Sequence, residues 1–232
     1  MNPTPSYSLV TQETLELQPL PEIIKQHTAP LHFNKVDFSH QDLKRLDLTG
    51  ALFEQCLFNE ADFSYATLDE TRWLGYRLGA ATFRSASLVD AQFRNSDLNN
   101  SNWQRARLSQ ANFDGCKLTG SNFNDVSSLG LAFSECRLNS ANLSGISFYK
   151  ATLDNLDFSD SDLSGCDFRK AVFTNGGSLA HARVVGARFD GADLRDADLG
   201  GLQLADAKLF KGAIISKAQA NILLRGLGLT VL

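Results

Sequence analysis

From Phe33 to Phe173 every fifth residue is Phe, Leu or Trp, with Ser128 the one exception among 29 successive positions. Neither the 3.6-residue period of a helix nor the two-residue period of a strand accommodates that beat. One extra residue enters around Asn175-Gly176-Gly177-Ser178, and the beat resumes at Leu179, Val184, Phe189, Leu194, Leu199, Leu204, Leu209 and Ile214. A fixed short period means that each unit is a copy burying its apolar face only against neighbouring copies, so residues 31–215 read as one solenoid. Two residues before the large position stands a small one (Ala51, Ala61, Ala81, Ala91, Ala111, Ala141). One residue before it stands Asp or Asn, as in Asp62-Phe63, Asn112-Phe113, Asp162-Leu163 and Asp193-Leu194.

Written as A-(D/N)-(L/F)-x-x, this unit resembles the pentapeptide repeat family. The resemblance implies an all-β fold, a right-handed quadrilateral β-helix in which four pentapeptides make one square coil and positions 20 residues apart lie above one another. The sequence sorts accordingly. Phe33, Phe53, Trp73, Phe93, Phe113, Phe133, Leu153 and Phe173 form a nearly all-aromatic column, while Leu48, Leu68, Leu88 and Leu108 form an aliphatic one. About nine coils are expected, with rungs about 4.8 Å apart. Glycines two residues after the centre (Gly50, Gly75, Gly115, Gly120, Gly145, Gly165) suit corners with positive φ. Corners without glycine suggest a second turn type.

The flanks differ from the repeat. All five prolines fall in residues 1–30, and proline cannot donate to a stacked sheet. That leader is expected to be partly disordered, with Leu15-Glu16-Leu17 and Pro21-Glu22-Ile23-Ile24 available to cover the first coil. In residues 216–232 the run from Ser216 to Arg225 predicts a short helix capped by Ser216 and stopped by Gly226. Leu227, Leu229 and Val231 then alternate as a brief strand would.

Composition narrows function mainly by exclusion. A formal charge of −4 and a pI of about 5.5 offer no global basic patch, so no direct nucleic acid binding is expected. No stretch approaches 18 apolar residues and the start lacks a signal-peptide pattern, which predicts a cytoplasmic chain without membrane contact. Cys56, Cys116, Cys136 and Cys166 all take the inward small position, as packing residues. His27, His32, His40 and His181 read as surface or cap residues, and there is no zinc pattern. No phosphate loop or nucleophile elbow is present, so no catalytic residue, cofactor or metal is expected and the chain does not read as an enzyme.

The ending K-A-Q-A-N-I-L-L-R-G-L-G-L-T-V-L resembles the dimerisation segment of one subgroup, the pentapeptide proteins of quinolone, microcin B and albicidin resistance. That resemblance implies a homodimer joined through Ala218, Ile222, Leu223, Leu227, Leu229 and Val231. It also implies a DNA-mimicking surface that occupies the DNA site of DNA gyrase or topoisomerase IV. Residues 151–206 hold ten acidic residues against five basic ones, a net of −5. The acidic surface is assigned to Asp157, Asp160, Asp162, Asp167, Asp190, Asp193, Asp196, Asp198 and Asp206, with Asp154 beside them. Between 71 and 117 the balance reverses, with seven basic residues against Asp90, Asp97 and Asp114. The projecting loops of the best-known quinolone-resistance members have no counterpart here, so protection and plain inhibition of the enzyme both stay open. A non-enzymatic interaction scaffold without a topoisomerase partner is the alternative.

Overall fold

The large apolar side chain of each pentapeptide points inward and stacks on its equivalent one coil away, giving a right-handed quadrilateral β-helix of about eight turns. The computed structural model describes residues 6–75, 77–202, 207–226 and 228–230. Two compact units divide the chain: Met1–Lys117 with Val126–Ala132, and Leu118–Asp125 with Phe133–Leu232.

In the first unit, strands β2 (Leu31–Asn34), β3 (Leu52–Glu54), β4 (Arg72–Leu74), β5 (Gln92–Arg94) and β6 (Asn112–Asp114) pair in parallel at a constant 20-residue offset, as in Phe53↔Trp73 and Phe93↔Phe113. Only one face of each coil is a continuous strand; the other three meet through single bridges such as Thr82↔Asn102 and Ser87↔Arg107. Phe33 stacks on Phe53 with centroids 5.2 Å apart, Phe53 on Trp73 at 4.1 Å, and Phe93 on Phe113 at 4.8 Å. A second column, Phe63, Phe83 and Trp103, stacks at 5.1 and 4.2 Å and meets the first edge-on. Burying each such ring is worth about 2–3 kcal/mol. Both indoles need an acceptor inside this core. Thr71 and Ser101 supply it from the inward small position, Trp73 Nε1 donating to Thr71 Oγ1 at 2.9 Å and Trp103 Nε1 to Ser101 Oγ at 2.6 Å.

From residue 8 onward the leader carries regular elements. Strand β1 (Ser8–Val10) pairs in parallel with β2, and helices α1 (Gln12–Leu17) and α2 (Leu20–Gln26) follow. Val10, Leu20 and Ile23 are buried, whereas Leu17 is 88% exposed. Proline serves this cap because α2 starts behind Pro19 and takes Pro21 in its first turn, where no amide partner is required.

In the second unit, β7 (Ala132–Ser134) contributes Phe133 and Ser134, and β8 (Thr152–Asp154) pairs with β9 (Val172–Thr174) at an offset of 20. The offset becomes 21 at Asp157↔Ser178, where Gly176 and Gly177 adopt φ of +102° and +105°. A second extra residue enters between Leu199 and Phe210. Phe210, not Leu209, stacks on Phe189 at 4.7 Å, and Leu194 N–H donates to Ile214 O as it would to the residue before a centre. Leu209 and Ile214 are therefore flanking positions, and Phe210 and Ile215 carry the beat; Leu204 lies outside the described residues. Helix α3 (Lys217–Gly226) closes the unit. Ser216 Oγ accepts from Gln219 N–H at 3.2 Å while Gln219 Oε1 accepts from Ser216 N–H at 2.6 Å. The helix runs through Gly226, and its end is Gly228 at φ +80°, with Gly228 N–H bonded to Arg225 O and Leu229 N–H to Leu224 O. Residues 228–230 form no strand.

Corners overturn the idea that glycine sorts the turns. The residue two after the centre is left-handed almost everywhere, at Lys35, His40, Arg45, Glu60 and Tyr65 as at Gly50 and Gly75. Each non-glycine corner costs about 1 kcal/mol. The amide at such a corner is also a rung of the ladder, as Lys35 N–H to Glu54 O at 2.9 Å and His40 N–H to Asn59 O at 2.8 Å, so the strained conformation is held by the stacking itself. Two corner types do exist, but the face decides them: the corner after a strand is an open bend, and the other three are turns, as Ala61 N–H to Phe58 O at 3.0 Å.

One glycine is required outright. A Cβ at Gly177 would lie 2.6 Å from Leu156 O. Gly177→Ala is expected to lower unfolding free energy by about 2–3 kcal/mol, against about 1 kcal/mol for Gly145→Ala, whose added Cβ meets nothing within 4 Å. Urea titration of both variants checks the difference.

Candidate functional site

The Asp or Asn before each centre has a structural task that the repeat pattern alone does not disclose. Its Oδ1 accepts the N–H two residues on: Ser159 to Asp157 at 3.0 Å, Ser164 to Asp162 at 2.9 Å, Arg169 to Asp167 at 3.1 Å, Arg195 to Asp193 at 3.2 Å and Gly200 to Asp198 at 2.8 Å. Asp37, Asp42 and Asp47 do the same in the first unit, and Asn102 does so for Gln104. A short side chain with an acceptor two bonds from Cβ suits this turn, which explains why Asp and Asn alternate freely there. One carboxylate oxygen is thus committed to the fold, and the other is left to carry charge outward.

Neighbouring arginines neutralise much of that charge. Arg169 grips Asp167 through two bonds of 2.8 and 2.6 Å, and Arg195 grips Asp193 at 2.9 and 2.6 Å. Arg188 Nε lies 3.3 Å from Asp190, and Arg183 lies 3.7 Å from Asp162. The Arg169 and Arg195 side chains hold the carboxyls of Asp167 and Asp193 below the usual range. At Asp157 desolvation pushes the pKa up, yet hydrogen bonds from Ser159 and Asn139 outweigh it and the net shift is downward.

Among the described aspartates of residues 151–206, Asp154, Asp157, Asp160, Asp196 and Asp198 have no ion pair, and they lie on one face of the second unit or at its borders. Asp154 ends β8, where it accepts from Asn175 Nδ2 at 2.6 Å. Asp157 and Asp160 lie on the face after that corner. Asp198 stands in the Asp157 column with Ser178 between them, and Asp196 takes the corner ahead of it. Two coil spacings, about 10 Å, separate the two groups. Five negative charges over that length compare with about six on duplex DNA. Arg137 is bridged to Asp157 in the same column and bounds the strip. The opposite face is basic: Lys150 Nζ and Arg169 Cζ lie 5.1 and 5.3 Å from the Tyr149 ring centroid. Asp206 lies outside the described residues.

Of the residues expected to join two chains, Ala218 is exposed, and Ile222 and Leu229 are 46% and 54% exposed. Leu223 turns inward instead, against an apolar cavity of about 120 Å³ lined by Leu194, Leu199, Phe210 and Ile215. Gln219 beside it is also buried, its Nε2 donating to Leu194 O and Ala197 O at 2.6 Å each. The spacing of four between Gln219 and Leu223 identifies the inward stripe of α3. Leu224 joins the exposed set at 37%. Leu227 and Val231 lie outside the described residues.

The four cysteines are buried free thiols, and burial pushes Cys166 up to about 12. His32 Nε2 lies 3.0 Å from Glu54 and His40 Nδ1 3.4 Å from Glu60. Among the described residues no group of three or more His, Cys, Asp or Glu side chains could hold a metal ion, and no helix is long and apolar enough to cross a membrane.

Because Asn can accept as Asp does, Asp157→Asn is expected to unfold within about 0.5 kcal/mol of the parent, while Asp157→Ala loses about 1 kcal/mol. Carboxyls held low in the folded chain stabilise it above their unfolded value and lose that contribution as pH falls through their folded values. Urea midpoints should therefore hold steady above about pH 5 and decline below about pH 4, less steeply in a variant carrying both Asp167→Asn and Asp193→Asn.

The profile of the pentapeptide repeat region matches residues 30–103 and 46–123, and that of eight-copy pentapeptide repeats matches 133–175 and 178–209. No curated protein sequence matches the chain. Among solved structures, trypsin-treated QnrB1, a plasmid-mediated fluoroquinolone resistance protein, is similar at a TM-score of 0.73 and 23% identity, over 87% of this chain and 99% of that one. Full-length QnrB1 gives 0.71 and 22% over 85% and 100%. HetL, a pentapeptide repeat protein involved in heterocyst differentiation regulation in the cyanobacterium Nostoc sp. strain PCC 7120, gives 0.55 and 23% over 78% and 85%. With the repeat, its 20-residue stacking and these profiles in agreement, the chain belongs to the pentapeptide repeat family.

Proposed function

We propose that this protein is a non-catalytic DNA mimic that binds DNA gyrase or topoisomerase IV and protects it from, or modulates it in the presence of, a topoisomerase poison. The observation that carries this reading is the one-sided strip of Asp154, Asp157, Asp160, Asp196 and Asp198, whose charge per length approaches that of a duplex. An enzyme surface built to receive phosphates meets carboxylates at a similar density, and complementary charge both speeds encounter and fixes register. QnrB1, similar in fold, is a fluoroquinolone resistance protein, which is consistent with this reading. The working compartment would be the cytoplasm, where such enzymes act.

The exposed Ile222, Leu224 and Leu229 supply the apolar surface for a homodimer about a two-fold axis, with Leu223 left to hold α3 on its own chain. A second reading, an interaction scaffold without a topoisomerase partner, draws on the pairing of Asp162, Asp167, Asp190 and Asp193 with arginines, which leaves only part of the acidic set free.

A supercoiling and cleavage assay with purified gyrase, with and without a poison, tests the choice. Inhibition or rescue from cleavage is expected, and a variant with Asp157, Asp160, Asp196 and Asp198 all changed to Asn should need at least about tenfold more protein for the same effect while melting as the parent does. No effect of the parent at large molar excess would leave the scaffold reading. Ile222→Asp with Leu229→Asp is expected to sediment as a monomer; a dimer surviving both changes would place the interface elsewhere.

A further inference from the structure

We propose that the first unit carries a binding surface for a phosphodiester backbone, centred on the coil corner formed by Arg84, Arg105 and Arg107. This goes beyond the topoisomerase reading and does not depend on it. Arg84 follows Phe83 on one face, Arg107 stands under Ser87 on the next, and Arg105 lies under Ser85 at the corner between them. All three are exposed. The corner column continues through Tyr65, 54% exposed, to Arg45, whose guanidinium carbon lies 5.6 Å from the Tyr65 ring centroid. Four coils thus place four guanidinium groups and a phenol along about 15 Å of one edge.

Two features separate this surface from the rest of the molecule. Among the described residues Arg84 and Arg107 meet no carboxylate within ion-pair distance, whereas Arg169, Arg183, Arg188 and Arg195 of the second unit all do. Of two acids on the neighbouring coils, Asp62 is paired with Lys44 at 3.1 Å, and Asp69 Oδ1 accepts from Ser87 Oγ at 2.5 Å and Val89 N–H at 2.8 Å. The ground between the arginines consists of Thr82, Ser85, Asn102 and Gln104, all polar, and the exposed Leu129 stands at its edge, one coil on from Ser109. Protein interfaces draw much of their affinity from a cluster of apolar and aromatic anchors, whereas here the exposed apolar groups, Tyr65 and Leu129, stand singly at the margins of a polar, cationic ground. Guanidinium, hydroxyl and amide donors on a rigid backbone are the groups that contact phosphate and sugar. The formal charge of −4 hides the surface because residues 71–117, with seven basic and three acidic side chains, are averaged with acidic coils elsewhere.

Fluorescence anisotropy of the full-length chain with labelled DNA of about 20 base pairs, and with single strands of the same length, tests this and tells which phosphodiester form is preferred. Saturable binding at about 50 mM salt is expected, weakening by about 200 mM with a log–log slope of about −2 to −3 for two to three phosphates neutralised. The variant carrying Arg84→Gln and Arg107→Gln should lose at least about tenfold in affinity and about two units of slope while keeping its melting temperature, and Arg183→Gln should bind as the parent does. No binding at low salt, or undiminished binding by the double variant, overturns the proposal. So does polyglutamate that binds as tightly through the same arginines, since it would assign the surface to acidic protein chains.

Discussion

Everything in this fold depends on the hydrogen-bonded ladder between successive coils. A pentapeptide with one large and one small inward side chain is too short to bury anything alone. Only when the centre's amide reaches the carbonyl before the next centre, as Phe38 N–H to Leu57 O at 2.8 Å, do the rings come into stacking distance and the polar backbone find partners. The same ladder holds Lys, Arg, Glu and Tyr in left-handed corners that few residues adopt unaided. Stacking supplies the constraint, and the corner residues are then free to vary in chemistry.

That freedom is what makes the surface informative. Because the backbone repeats, differences between coils lie almost entirely in the outward side chains, and charge can be sorted by face without disturbing the core. The second unit sets an acidic strip on one face and cations around Tyr149 on the opposite one. Its remaining aspartates close turns and hold arginines. Negative charge in this sequence therefore has two meanings: an aspartate before a centre gives one oxygen to its turn, and a carboxylate faces outward uncompensated only where no guanidinium stands beside it.

The ends break the period because a solenoid must stop. At the amino end β1 continues the ladder while α1 and α2 bring Val10, Leu20 and Ile23 against the first coil. At the carboxyl end Gln219 donates to Leu194 O and to Ala197 O, the latter in the row whose carbonyls elsewhere accept from the next coil, and Leu223 covers the end of the core. An edge strand and an open apolar interior are both liabilities in water, and each end answers them with a helix.

The repeat, the aromatic column through Phe33 and Phe53, the inward cysteines and the Ser216 cap were legible in the sequence, because each follows from a fixed spacing of side-chain types. Spacing fails where the period itself slips: the second extra residue before Phe210 shifts the beat away from Leu209 and Ile214, and only the stack of Phe189 on Phe210 reveals it. It fails also where partners are 20 or more residues apart or where two equal candidates compete. Sequence counts ten acids and five bases in residues 151–206, but which carboxylates present an uncompensated charge is decided by which arginine reaches them in space. Likewise Leu223 and Ile222 are equivalent as letters, and the turn of α3 onto the last coil buries one and exposes the other. Local period fixes how the coils stack; the direction of each outward side chain, and hence the charge a partner meets, belongs to the tertiary structure.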